Sequence, residues 1–146
     1  MPAGSDLELP RTWRPLGVRL AAGFFGGVLV LLCLFAWFGF DESIRDRFTL
    51  FQRGTILVLG LMAGSLGHAL ARSRVTATAD RLVVVNGYRK REFEWPAAVA
   101  VRLPPGAPWA TLDLSDGTSV PVMGIQGSDG DRARVAVREL RALLDR

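Results

Sequence analysis

The sequence predicts an α+β protein: a two-helix transmembrane hairpin followed by a small β domain that a C-terminal amphipathic helix caps. Three observations predict it. Residues 20–40 (LAAGFFGGVLVLLCLFAWFGF) carry no charged or strongly polar side chain, and residues 54–71 (GTILVLGLMAGSLGHALA) form a second apolar run after a short charged loop. From Ser73 the pattern becomes a series of short β-type runs punctuated by Asn86-Gly87 and Asp116-Gly117. Beyond Ser128 the spacing of apolar residues turns helical and stays so to the end. The implied organisation is an N-terminal cytoplasmic segment at 1–15, a hairpin at 16–72 and a β domain at 73–146.

The first run is 21 residues long. As a helix it covers roughly 31 Å, close to the hydrocarbon thickness of a bilayer, about 30 Å. A cleaved signal has a shorter apolar core and ends in small residues. This run ends in Trp37-Phe38-Gly39-Phe40, bulky aromatics that suit an interfacial belt, so it is predicted to remain as an anchor. Gly23 and Gly27 on the first helix, and Gly60 and Gly64 on the second, make two G-x-x-x-G faces. Small residues let helices approach closely in lipid, which suits a packed hairpin or a homo-oligomer equally.

Charge sets the orientation. Arg11, Arg14 and Arg19 precede the first span; Arg72, Arg74, Arg81, Arg89, Lys90 and Arg91 follow the second. The connecting loop holds only Arg45, Arg47 and Arg53. The basic excess predicts a multi-pass protein of the bacterial inner membrane with both termini cytoplasmic. His68 lies three residues from the end of the second run, beside Arg72, and reads first as an interfacial neutral histidine and second as a handler of protons or ligands.

In the β domain, strands are predicted at 74–79, 82–85, 88–94, 99–103, 109–114 and 118–123. Asn86-Gly87 predicts a type I′ turn between two of them, and Asp116-Gly117 predicts a second hairpin. Trp95 is predicted to pack in the core. The glycine-rich stretch 124–130 reads as a flexible linker. Ser128 or Asp129 is placed to cap the last helix, whose Ala133, Ala136, Val137, Leu140, Leu143 and Leu144 form one apolar stripe.

Catalytic chemistry is not visible. The single histidine and the single cysteine, Cys33, both lie in apolar runs, and the soluble part holds no nucleophile–base set, G-x-S-x-G or P-loop. Residues 129–131 lack the further ligands of a calcium loop, so no metal and no cofactor is predicted. Nucleic acid is not an expected partner: the basic residues are 17 Arg and one Lys spread along the chain without a continuous stripe.

The stretch LVVVNGYRKREFEWPAAVAVRLP, the WATLDLSDGTSVPVMGIQGSD that follows, and Thr12-Trp13-Arg14-Pro15 ahead of the first span resemble the bacterial pleckstrin-homology-like family of small actinobacterial membrane proteins, some of them labelled low-molecular-weight protein antigens. The resemblance implies a bent, partly open PH-like β-barrel or sandwich capped by the C-terminal helix. The expected function is non-enzymatic: a membrane-held PH-like module that binds an unidentified protein or peptide. A second expectation is contact with anionic lipid through Arg89, Lys90, Arg91 and Arg102, because eukaryotic pleckstrin-homology domains use basic residues near their first hairpin in this way. A third and remote one is an accessory subunit of a membrane transport complex.

Overall fold

The computed structural model describes residues 7–146; the first six residues of the expected N-terminal segment lie outside the described residues. The chain opens with a short strand, β1 (Arg11–Trp13), and continues into α1 (Leu16–Gly39), α2 (Glu42–Arg45) and α3 (Leu50–Arg72). Then come β2 (Arg74–Ala77), β3 (Arg81–Asn86), β4 (Arg89–Glu94), β5 (Ala98–Arg102), β6 (Trp109–Leu114), β7 (Ser119–Gln126) and α4 (Asp131–Leu144). The class is α+β, as expected.

The strands form two antiparallel sheets, β1-β2-β3-β4 and β5-β6-β7. Alternation along each strand sends Val75, Ala77, Leu82, Val84, Val101, Ala110, Leu112 and Val122 into one core. The apolar stripe of α4 closes it, with Ala133, Ala136, Val137, Leu140 and Leu143 buried. Trp95 packs against this core and donates its indole N–H to the carbonyls of Thr78 (3.1 Å) and Ala79 (3.2 Å).

β1 was not among the predicted strands. It pairs with β2 in the register Arg11↔Ala77, Thr12↔Thr76 and Trp13↔Val75, and Trp13 is buried in the core. The segment before the helices is therefore part of the sandwich, and the helical hairpin is an insertion between two neighbouring strands. Glu139 of α4 holds β1 from the other side: one carboxylate oxygen accepts from Arg11 (2.7 Å), the other from the indole of Trp13 (2.8 Å).

α1 and α3 are 24 and 23 residues long, apolar, and bury none of their residues; either is long enough to cross a membrane. α3 begins four residues before the predicted run because Thr49 and Gln52 make a reciprocal capping box. Arg53 then folds back, donating to the carbonyls of Phe48 (3.0 Å) and Arg45 (2.7 Å) and lying 5.2 Å from the Trp37 ring centre. At the opposite end the helices meet where a Cβ on Gly67 would lie 3.8 Å from Ala22. The predicted glycine faces do not join them: around a Cβ at Gly23, Gly27, Gly60 or Gly64 there is no heavy atom within 4 Å.

Two loops differ from expectation. Asn86 pairs with Arg89, so the loop between β3 and β4 is Gly87-Tyr88, with Gly87 at φ +59°. Glycine at the first central position is the type II′ arrangement, one residue along from the predicted type I′ turn. The stretch 124–130 is not a flexible linker. Gly124 to Gln126 continue β7, Ile125 and Gln126 are buried, and Gly127–Asp129 form a single 3₁₀ turn. Gly124 is required there, because a Cβ would sit 2.6 Å from the carbonyl carbon of Arg74 on the facing strand.

Candidate functional site

The two-residue turn has two consequences. Asn86 becomes the last residue of β3, and its amide bridges to β7, donating to the Pro121 carbonyl (2.5 Å) and accepting from the Met123 N–H (2.9 Å). Tyr88 becomes the tip of the hairpin. Its side chain runs along α3: the hydroxyl donates to the Ser65 carbonyl (3.0 Å) and lies 3.1 Å from the Ser65 Oγ and 3.2 Å from His68 Nδ1. The Arg72 guanidinium sits 5.3 Å from the centre of the Tyr88 ring, within cation–π range. Ser73, fully buried, completes the joint. Its hydroxyl donates to the Ala69 carbonyl (3.1 Å) and accepts from the Gly87 N–H (2.9 Å).

The other helix is held by Asp129. Its carboxylate accepts from the N–H of Leu16 (2.9 Å) and of Gly17 (2.8 Å), capping α1. The predicted role was a cap on α4, the helix next in sequence. That helix is instead capped by Gly130 without a side-chain bond. A carboxylate at the start of α1 satisfies two orphan donors and meets the positive end of the helix dipole.

The four basic candidates divide. Lys90 pairs with Glu92 (2.6 Å), which also accepts from Arg81 (2.7 Å). Lys90 and then Arg81 hold the Glu92 carboxyl below its ordinary range. Arg102 makes a two-pronged bond to Asp113 across the β5–β6 ladder (2.6 and 2.7 Å). Arg102, with a smaller share from the Ser119 hydroxyl, holds Asp113 below its ordinary range. Arg89 and Arg91 have no ion-pair partner among the described residues. They share one face of β4 and line an open groove of about 210 Å³ with Val84, Asn86, Val120, Pro121 and Met123. The structure thus brings Arg89 and Arg91 together beside the Tyr88 joint and leaves Lys90 and Arg102 neutralised elsewhere.

Tyr88, Ser73 and Asp129 were not predicted as site residues. Tyr88 had one available signal, an aromatic directly after a turn glycine and directly before the basic run. No group of three or more potential metal ligands occurs among the described residues.

Two antiparallel sheets around one core, closed by a C-terminal helix, form a PH-like sandwich, here carried on a long apolar hairpin. The chain belongs to the bacterial PH domain family, whose match covers residues 72–143. It is similar to two mycobacterial relatives, "Uncharacterized protein Rv1417" of Mycobacterium tuberculosis and "Uncharacterized protein Mb1452" of Mycobacterium bovis. Each is 38% identical over 150 residues, covering 97% of this chain and 90% of the relative. No solved structure matches it. The family match begins at the last residue of α3, so β1 lies outside it.

Proposed function

We propose that this is a non-enzymatic, membrane-anchored PH-like module of the bacterial inner membrane, with both termini cytoplasmic, whose β3–β4 hairpin meets anionic lipid headgroups through Arg89 and Arg91. The observation that carries the reading is the seat of Tyr88 against α3. Ser65 lies six residues inside the apolar run that ends at Ala71, about 9 Å along the helix. A phenol bonded there, on a residue 57% exposed, reaches from the edge of the apolar run down into it, as an amphipathic interfacial anchor does. Arg89 follows Tyr88 directly, and Arg91 lies about 7 Å further along the strand. Both are within a Debye length of the headgroup layer, about 8 Å at physiological salt. At about 1 kcal/mol each they favour an anionic headgroup over a neutral one by roughly 30-fold.

Hydrogen exchange of the full-length protein in nanodiscs tests this. Residues 86–91 exchange more slowly in discs containing phosphatidylglycerol than in phosphatidylcholine discs, and high salt removes the difference. Arg89→Gln with Arg91→Gln abolishes it, and Lys90→Gln leaves it. Equal exchange in the two lipids rejects the reading.

A second reading is capture of a protein or peptide. It is favoured by β4 being a six-residue strand at the edge of its sheet, with no ladder partner on its outer side. An accessory role in a transport complex has only His68 behind it, and His68 has a local use as a partner of Tyr88.

A further inference from the structure

A second open groove lies away from Arg89 and Arg91. It has a volume of about 520 Å³ and runs between β1, the end of β7 and the first half of α4. Its charged residues are Arg11, Arg14, Asp129, Asp131, Arg132 and Glu139. Four of these are accounted for. Glu139 pairs with Arg11 (2.7 Å), Asp131 pairs with Arg134 (2.9 Å), and both oxygens of Asp129 are taken by the amides of α1. Arg14 and Arg132 are exposed and have no ion-pair partner among the described residues. The groove therefore offers two free guanidinium groups.

Its position supplies the ligand. Arg14 lies two residues before Leu16, where α1 begins, and the apolar run starts at Leu20. Four helical residues separate Leu16 from Leu20, about 6 Å. The headgroup layer on each side of a bilayer is about 5–7 Å deep, so Leu16 sits near its outer edge. Asp129 touches Leu16 and Gly17, which fixes the start of α4 at the same level, and Arg132 follows within one helical turn. Guanidinium groups are forked donors that match the oxygens of a phosphate diester.

We infer that the β1–α4 groove is a second anionic-lipid site, in which Arg14 and Arg132 hold the phosphate diester of a phospholipid headgroup. It shares the membrane placement used above but none of the same side chains. Arg89 and Arg91 sit beside α3, whereas Arg14 and Arg132 sit beside the start of α1. Headgroups at both places would hold the domain at two separated points and set its tilt on the leaflet.

The test uses the full-length protein in micelles of phosphatidylglycerol and phosphatidylcholine, with retained lipid counted by native mass spectrometry. Wild type retains phosphatidylglycerol in preference to phosphatidylcholine. Arg14→Gln with Arg132→Gln loses one phosphatidylglycerol that the Arg89→Gln, Arg91→Gln variant keeps, and the four-fold variant loses both. An unchanged melting temperature confirms the fold of each variant. A wild-type lipid count in Arg14→Gln, Arg132→Gln overturns the inference. So does slowing of exchange at residues 10–14 by inorganic phosphate in phosphatidylcholine discs to the extent that phosphatidylglycerol achieves, because free phosphate would then be the occupant. Loss at Arg14 and Arg132 with no loss at Arg89 and Arg91 leaves this site standing and rejects the first.

Discussion

Removing β1 is expected to unfold the domain, although β1 lies outside the family match and is separated from β2 by the whole helical hairpin. Trp13 is 8% exposed, its ring lies in the core, and Glu139 accepts its indole N–H at 2.8 Å. Truncating a buried tryptophan costs about 3–5 kcal/mol. Deleting the strand also strips Glu139 of Arg11, removes the Thr12–Thr76 hydroxyl bond (3.0 Å) and uncovers the side of β2. Small domains have net stabilities at the lower end of about 5–15 kcal/mol, so the loss is comparable with the whole. The register suggests the control. Trp13 and Val75 are Cα partners on antiparallel strands, so residues 16–72 can be replaced by a short glycine-rich turn without moving either strand. Residues 73–146 alone should give no cooperative thermal melt by near-ultraviolet circular dichroism. Residues 7–15 joined through the turn to 73–146 should melt cooperatively. Even a 3 kcal/mol deficit separates the two by about 12 °C or more in a domain of this size. A fragment 73–146 that melts within about 5 °C of the fusion would refute the reasoning.

Three further outcomes follow from the same contacts. Asp129→Ala uncaps α1 at a cost of about 0.5–2 kcal/mol, seen as faster hydrogen exchange at the amides of Leu16 and Gly17 with α4 unaffected. Gly124→Ala drives a Cβ into the Arg74 backbone and should lower the melting temperature sharply, while Gly60→Ala meets only open space and should not. The Asp113 carboxyl, held below its ordinary range chiefly by Arg102, contributes stability that is present above the unfolded-state value, about 3.9, and is lost as pH falls through the lower folded value. Acid titration of the β1-fused domain should show this loss below about pH 4, and Asp113→Asn should flatten the slope there.

The elements that could be read from sequence are those whose signal is local. Two apolar runs, strand alternation and the Ala133-to-Leu143 stripe each depend on residues close in the chain, and each appears where expected. β1 is three residues long, too short to show a period, and its strand character exists only because β2 lies beside it. Asp129 shows the same limit in another form. Capping rules direct a side chain to the helix that follows, but the amides it satisfies lie 113 and 112 positions earlier. Asn-Gly announced a hairpin correctly and misplaced it by one residue, because the bridge from Asn86 to Pro121 and Met123 holds Asn86 in β3.

The site was legible to the same degree. A basic strand end after a turn is visible in the residue string, but its useful members are not. The Lys90–Glu92 pair follows from alternation along one strand, whereas the Arg102–Asp113 pair needs the β5–β6 register. Only with both assigned do Arg89 and Arg91 stand out. The G-x-x-x-G faces were legible as small surfaces but not as to what they meet, since the partner of a helix face is a tertiary fact.

The insertion of the hairpin between paired strands also bears on orientation. The count of basic residues favours one side by a modest margin, because the loop between the helices holds three arginines of its own. β1 and β2 must share a compartment, since Trp13 and Val75 are partners in one sheet. A chain that leaves through α1 therefore has to return through α3, and an arrangement in which only one helix crosses would tear β1 from the sandwich and expose Trp13. On the proposed membrane placement the pairing makes crossings come in pairs, and the arginines need only choose the side. A reporter fused after Arg146 and one fused before α1 should always give the same signal. Adding lysines to the loop should move both ends together or abolish the protein, and should never separate them.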